Sequence, residues 1–147
     1  MSETPRALEG IAGELHHVAI VVRSLEEARP AWEALGLACG EPEFVEDQDV
    51  NVLVCTIGDQ RIELVEPASE ASPVSKFLEK RGPGLHHLAF EVTDCAAAIE
   101  EARARGLELI DEAPRPGSHG TTIAFLHPRA TGGVLCELVE NPSGAAH

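Results

Sequence analysis

Two histidine pairs, His16-His17 and His86-His87, sit in nearly the same phrase: Leu15-His16-His17-Val18-Ala19-Ile20 and Leu85-His86-His87-Leu88-Ala89-Phe90, an offset of 70 residues. A second phrase also occurs twice, as Ile62-Glu63-Leu64-Val65-Glu66 and Cys136-Glu137-Leu138-Val139-Glu140, offset by 74. Imidazole nitrogens and carboxylate oxygens are donors that a divalent cation accepts, with positions left open for substrate if the ion is octahedral. Carboxylates can also carry protons to and from a reacting carbon. The plainer alternative for any one of these residues is a histidine satisfied by a hydrogen bond, or a solvent-facing strand glutamate. Four residues set in equivalent places by an independently visible duplication favour the chemical reading.

The repeat that places them extends well beyond the two phrases. A helical segment follows each histidine pair, Leu25 to Leu35 and Cys95 to Arg105, closing on Gly36-Leu37 and Gly106-Leu107. A duplicated module is the simplest account of such self-similarity. Each copy reads as strand, helix, then three strands. The first half predicts strands over 15–22, 38–46, 50–57 and 61–66, with Gly58-Asp59 marking a hairpin; the second predicts them over 85–92, 108–113, 121–127 and 133–140. Ser24 and Asp94 are expected N-caps, and the glycines at the helix ends expected stops. Pro30 predicts a kink or a late helix start. Between the modules, Ser72-Pro73 followed by Val74, Phe77 and Leu78 and ended by Gly82 predicts a connecting amphipathic helix. The tails, Met1–Gly13 and Asn141–His147, are expected to be frayed or partly docked.

Side chains alternate across a strand. His17, Ala19 and Val21 therefore share one face, and His87, Ala89 and Glu91 the equivalent face of the repeat. Glu63 and Glu137 leave the apolar side of their strands in the same way. If the modules are related by a pseudo-two-fold axis, all four ligand-type residues converge. His16 and His86, on the opposite parity, are read as structural, and His119 and His127 are assigned no role.

The chain has 147 residues, enough for a single domain, with modules at about 14–67 and 84–140 and the linker helix at about 70–82. A net charge of −14 disfavours nucleic acid and anionic membrane as partners. The N-terminus shows no signal-peptide pattern, so a cytoplasmic setting is expected. Cys39, Cys55, Cys95 and Cys136 have no metal or redox spacing and are expected as buried free thiols.

His17-Val18-Ala19-Ile20, Ile62 to Pro67, Ser72-Pro73 with Lys76-Phe77-Leu78, Gly84 to His87, Phe125 to Pro128 and Gly132 to Leu135 with Glu137-Leu138 together resemble the methylmalonyl-CoA epimerase family. That family lies within the vicinal oxygen chelate (glyoxalase/bleomycin-resistance/dioxygenase) superfamily. The resemblance spans about Leu15 to Glu140. It implies an α+β fold of two tandem βαβββ modules forming an eight-stranded, cup-shaped mixed sheet with helices on its outer face, and a homodimer. It implies metal ligands His17, Glu63, His87 and Glu137 around one divalent ion, cobalt first, with nickel, manganese, zinc or magnesium also compatible. The reaction implied is epimerisation of an acyl-CoA, (2R)- to (2S)-methylmalonyl-CoA, through loss of the C2 proton. Some members of the family carry an additional glutamate about where Val52 stands and a glutamine in place of Glu63. With Val52 and Glu63 here, the expected proton-transfer groups are Glu63 and Glu137. Arg115, Arg129 and Lys76, the last clustered with Lys80 and Arg81, are expected to meet the substrate's anionic groups. The rival readings are a glyoxalase-I-like lyase and a metal-free drug-binding protein of the same fold, the second disfavoured by an aromatic content of 3%.

Overall fold

The computed structural model of the chain describes residues 11–142. The expectation about the tails falls mostly on residues 1–10 and 143–147, outside the described range. The residues just inside that range are tied down. Gly13 donates its backbone N–H to the Glu91 carbonyl, and the Asn141 side chain bonds both His16 and Glu91.

The chain forms two compact units, His17–His86 and the N-terminal residues through His16 joined with those from His87 onward. The first is built on β1 (Leu15–Val21), α1 (Leu25–Ala34), β2 (Ala38–Cys39), β3 (Glu43–Val45), β4 (Val50–Ile57), β5 (Gln60–Pro67) and α2 (Pro73–Arg81). β2 and β3 both run antiparallel to β4, β4 antiparallel to β5, and β5 parallel to β1. The second unit is built on β6 (Gly84–Glu91), α3 (Cys95–Ala104), β7 (Arg115–Pro116), β8 (Thr122–Leu126) and β9 (Cys136–Glu140). Its ladder repeats the pattern: β7 antiparallel to β8, β8 antiparallel to β9, β9 parallel to β6. Each unit is thus a βαβββ module of an α+β fold, with its helix as the crossover between parallel strands.

The helices start where the sequence says they should. Ser24 Oγ accepts the N–H of Glu27, and Asp94 Oδ1 that of Ala97. A further carboxylate reaches each helix from the end of its module. Glu66 Oε1 accepts the N–H of Leu25 and Glu140 Oε1 that of Cys95, both at 2.8 Å. Negative charge at a helix N-terminus is stabilised by the aligned peptide dipoles. α1 begins at Leu25 and runs through Pro30, so the late start expected from that proline does not occur. The linker helix has Ser72 as its cap and ends at Gly82, whose φ of 73° favours glycine.

Three expectations are corrected. The strand expected over 38–46 is broken into β2 and β3 around Pro42, which has no N–H to give the ladder. The strand expected over 108–113 is reduced to one bridge, Leu109 with Leu126, because Asp111 turns its side chain to the Phe125 N–H instead of extending the ladder. The strand expected from 133 begins only at Cys136, since Gly132 and Gly133 take φ of 79° and 124°. The cysteines are also corrected in part: Cys39 and Cys55 form a disulfide, while Cys95 and Cys136 are free. The sequence spacing hides that pairing, but the register puts Cys39 of β2 directly opposite Cys55 of β4, with Cα atoms 4.0 Å apart.

Each module buries its two sheet faces differently. On one face of the first module, α1 packs Leu25 and Ala28 against Ile20, Leu53 and Leu64; in the second, α3 packs Ile99 and Ala102 against Ala124 and Leu138. On the other face of the first module, the linker helix sets Val74 and Leu78 among Val21, Val52 and Val65. Among the described residues no helix is long and apolar enough to cross a membrane.

Candidate active site

His17 lies near the start of β1, and two residues on, Ala19 pairs with Glu63 of the parallel strand β5. His87 stands in the same relation to β9, where Ala89 pairs with Glu137. Same-face residues recur every second position, so each module brings one imidazole and one carboxylate together over an alanine with no accessible surface. The small residue leaves room above the strand, and a bulkier one there would fill the space between the pair.

The contacts are nearly equal in the two modules. His17 Nδ1 is 3.2 Å from Glu63 Oε2, and His87 Nε2 is 3.1 Å from Glu137 Oε1. All four side chains are buried. Buried carboxylates persist when they are hydrogen-bonded or ligate a cation. Two ligand atoms each about 2.1 Å from an ion, at right angles, stand about 3 Å apart. The observed separations match that edge, so within each module taken by itself one nitrogen and one oxygen stand at the spacing of neighbouring ligands of a divalent ion, a spacing that a hydrogen-bonded pair shares.

The modules differ in what flanks the pair. Directly across from Glu137 on β8 stands Phe125, whose ring meets His87 edge-on with centroids 5.3 Å apart. The equivalent place opposite Glu63 is Val54. Val52, two residues further along β4, is 4% exposed and sits in the apolar cluster beneath the linker helix. That position therefore offers no proton carrier in this chain.

The other residues singled out from the sequence fall as follows. His16 is buried with Nε2 on Asn141 Oδ1 at 3.0 Å and also stands close enough to His17 and Glu63 to share an ion with them, and His86 packs its ring on Phe77. His127 Nδ1 accepts the Arg129 N–H and caps a short turn, and His119 occupies a turn with φ of 56°. Arg129 is exposed and forked onto both carboxylate oxygens of Glu108, which holds Glu108's carboxyl below its ordinary pKa. Lys76 is exposed on α2, and Arg81 lies over the Phe77 ring. Arg115 is half-buried on β7 and bonded to Asp111. Sequence reasoning missed Asp111, Phe125 and Glu43, which share strand faces or contacts with the site residues. The only available signal was strand register, which periodicity alone does not supply.

Residues 16–125 match the family model described as the Glyoxalase/Bleomycin resistance protein/Dioxygenase superfamily. The ethylmalonyl-CoA/methylmalonyl-CoA epimerase of Cereibacter sphaeroides is 39% identical over 86% of this chain and 96% of its own. The crystal structure of methylmalonyl-CoA epimerase from Mycobacterium tuberculosis superposes with a TM-score of 0.87 at 34% identity, covering 97% of this chain and 93% of that one. A solved methylmalonyl-CoA epimerase in complex with methylmalonyl-CoA and NH4+ superposes with a TM-score of 0.86 at 32% identity, over 92% and 99% of the two chains. By the repeated module, the residues matched and these relatives, the chain belongs to the Glyoxalase/Bleomycin resistance protein/Dioxygenase superfamily and, within it, to the methylmalonyl-CoA epimerases.

Proposed function

We propose that the protein interconverts (2R)- and (2S)-methylmalonyl-CoA, and that His17, Glu63, His87 and Glu137 together hold one divalent ion in doing so. The observation that carries this reading is the recurrence of a buried His–Glu pair at the same strand register in both modules. Cobalt is the first expectation for the ion, with nickel, manganese, zinc and magnesium compatible with the same donors. When bound, it would supply Lewis-acid stabilisation of the charge that develops on the thioester oxygen.

The chain's own residues account for the rest. C2 of the substrate lies between a thioester carbonyl and a carboxylate, which makes its proton acidic enough for a positioned base. Inverting the carbon requires one group to take the proton from one face and another to return one to the opposite face. Glu137 serves on the second module and Glu63 on the first, where the apolar Val52 leaves no alternative at the neighbouring site-face position. Burial of both carboxylates keeps bulk water from competing for the carbanionic carbon. Arg115, Arg129 and Lys76 are the proposed contacts for the anionic parts of the acyl-CoA. The cytoplasmic setting and the homodimer belong to the same reading, and neither bears on the chemistry above.

The test is to incubate purified protein with (2R)-methylmalonyl-CoA in D2O, with and without a chelator, and to follow deuterium at C2 and the appearance of the (2S) form. Metal-dependent exchange at C2 is expected. Absence of exchange would overturn the epimerase reading, and exchange indifferent to chelator would overturn the ion's part in it.

A further inference from the structure

Glu43 and Arg115 occupy the same topological position in the two modules. In the first, Glu63 pairs with Val54, Val65 pairs with Val52, and Val52 pairs with Glu43 on β3. In the second, Glu137 pairs with Phe125, Val139 with Ile123, and Ile123 with Arg115 on β7. Directly opposed residues in an antiparallel ladder project to the same side. Glu43 therefore shares a face with Glu63, and Arg115 shares one with Glu137. Each lies two strands across and two residues along from its glutamate, about 12 Å between Cα atoms from strand spacing and rise. An arginine side chain bridges much of that distance. The duplication that makes the His–Glu pairs alike makes this outer pair opposite in charge.

Arg115 is also held in place. Its Nη1 donates to Asp111 Oδ1 at 3.1 Å, and Asp111 Oδ2 accepts the N–H of Phe125 at 2.8 Å. The guanidinium is thereby referenced to the residue that faces both Glu137 and the His87 ring. Gly117, just beyond, packs so closely that a Cβ there would come within 2.7 Å of Ile123, which keeps the chain after Arg115 tight on β8.

We infer that Arg115 recognises the free carboxylate of the substrate's acyl group when C2 lies against Glu137 of the same module. The inference rests on the epimerase reading above. A substrate with C2 near Glu137 has its carboxylate within an arginine's reach, whereas the CoA phosphates lie a pantetheine arm further away. A planar guanidinium suits a carboxylate, and one lost charge-assisted contact weakens binding about 10- to 100-fold.

The test compares wild type, Arg115→Gln and Arg115→Lys for KM and kcat with methylmalonyl-CoA, and for competitive inhibition by propionyl-CoA, which carries the same CoA and no carboxylate. Arg115→Gln is expected to raise KM about 10- to 100-fold with inhibition by propionyl-CoA unchanged, and Arg115→Lys to fall between. Parallel weakening of propionyl-CoA would place Arg115 on the CoA portion and overturn the inference. So would an unchanged KM in a variant whose thermal unfolding matches wild type. Inactive wild type would instead count against the epimerase reading, which keeps the two failures apart.

Discussion

Glu63 and Glu66 stand three residues apart on β5 and leave it by opposite faces, Glu63 to His17 and Glu66 to the first N–H of α1. Glu137 and Glu140 repeat the division on β9. The repeated phrase Glu-Leu-Val-Glu thus sets one carboxylate beside a histidine and one at a helix N-terminus, and substitutions should separate the proposed chemical role of the first from the architectural role of the second.

Glu63→Gln and Glu137→Gln keep shape and a side-chain oxygen but remove the carboxylate proposed as the base. Each is expected to lower turnover about 10²- to 10⁴-fold while the folded protein still retains metal. Steady-state kinetics with metal analysis of the same samples checks this. Undiminished turnover in either variant would remove that residue from proton transfer.

Glu66→Gln and Glu140→Gln should do the reverse. Loss of a charge-assisted bond at a helix N-terminus costs about 1 kcal/mol, and thermal midpoints are expected to drop by about 3 °C. Turnover measured well below the melting range should stay within about twofold of wild type. A large loss of turnover without loss of stability would contradict the division of labour.

Much of this was legible in the sequence because a duplication marks equivalent positions without any knowledge of the fold. The offset of 70 between histidine pairs, the helix caps Ser24 and Asp94, and the parity of Glu63 and Glu137 all follow from residue type and period. What escaped depends on register between strands that are distant in sequence. Cys39 meets Cys55, Asp111 meets Phe125, and Glu43 matches Arg115 only once β2, β3 and β7 are placed on their neighbours. Short edge strands broken by Pro42 and flanked by Pro114 carry too little alternation to announce that placement.

The Cys39–Cys55 bridge gives a simple chemical test. Thiol titration of the denatured, unreduced protein should find two reactive thiols, Cys95 and Cys136, and four after reduction. Removing the bridge by Cys39→Ser with Cys55→Ser should cost about 2 to 4 kcal/mol of unfolding free energy. Four thiols before reduction would show that the bridge is absent in solution.

Cys95 opens α3, a position that ordinarily lowers a thiol's pKa, yet burial, helped by the Glu140 carboxylate, pushes it up to about 11. An unfolded thiol ionises near 9, so the unfolded state releases its proton first as pH rises. The neutral buried thiol therefore contributes its full stability below about pH 9, and that contribution is lost as pH climbs toward 11. Denaturant midpoints at pH 8 and pH 10.5 should fall less in Cys95→Ala than in wild type. Equal falls would show that Cys95 does not titrate in this way.

Metal stoichiometry tests most directly the proposal that two equivalent His–Glu pairs serve one ion. Titration of metal-free protein with cobalt, followed by calorimetry and elemental analysis, is expected to give one ion per chain, with His17→Ala and His87→Ala each weakening binding at least about 100-fold. Two ions per chain, or a variant that binds as tightly as wild type, would contradict it.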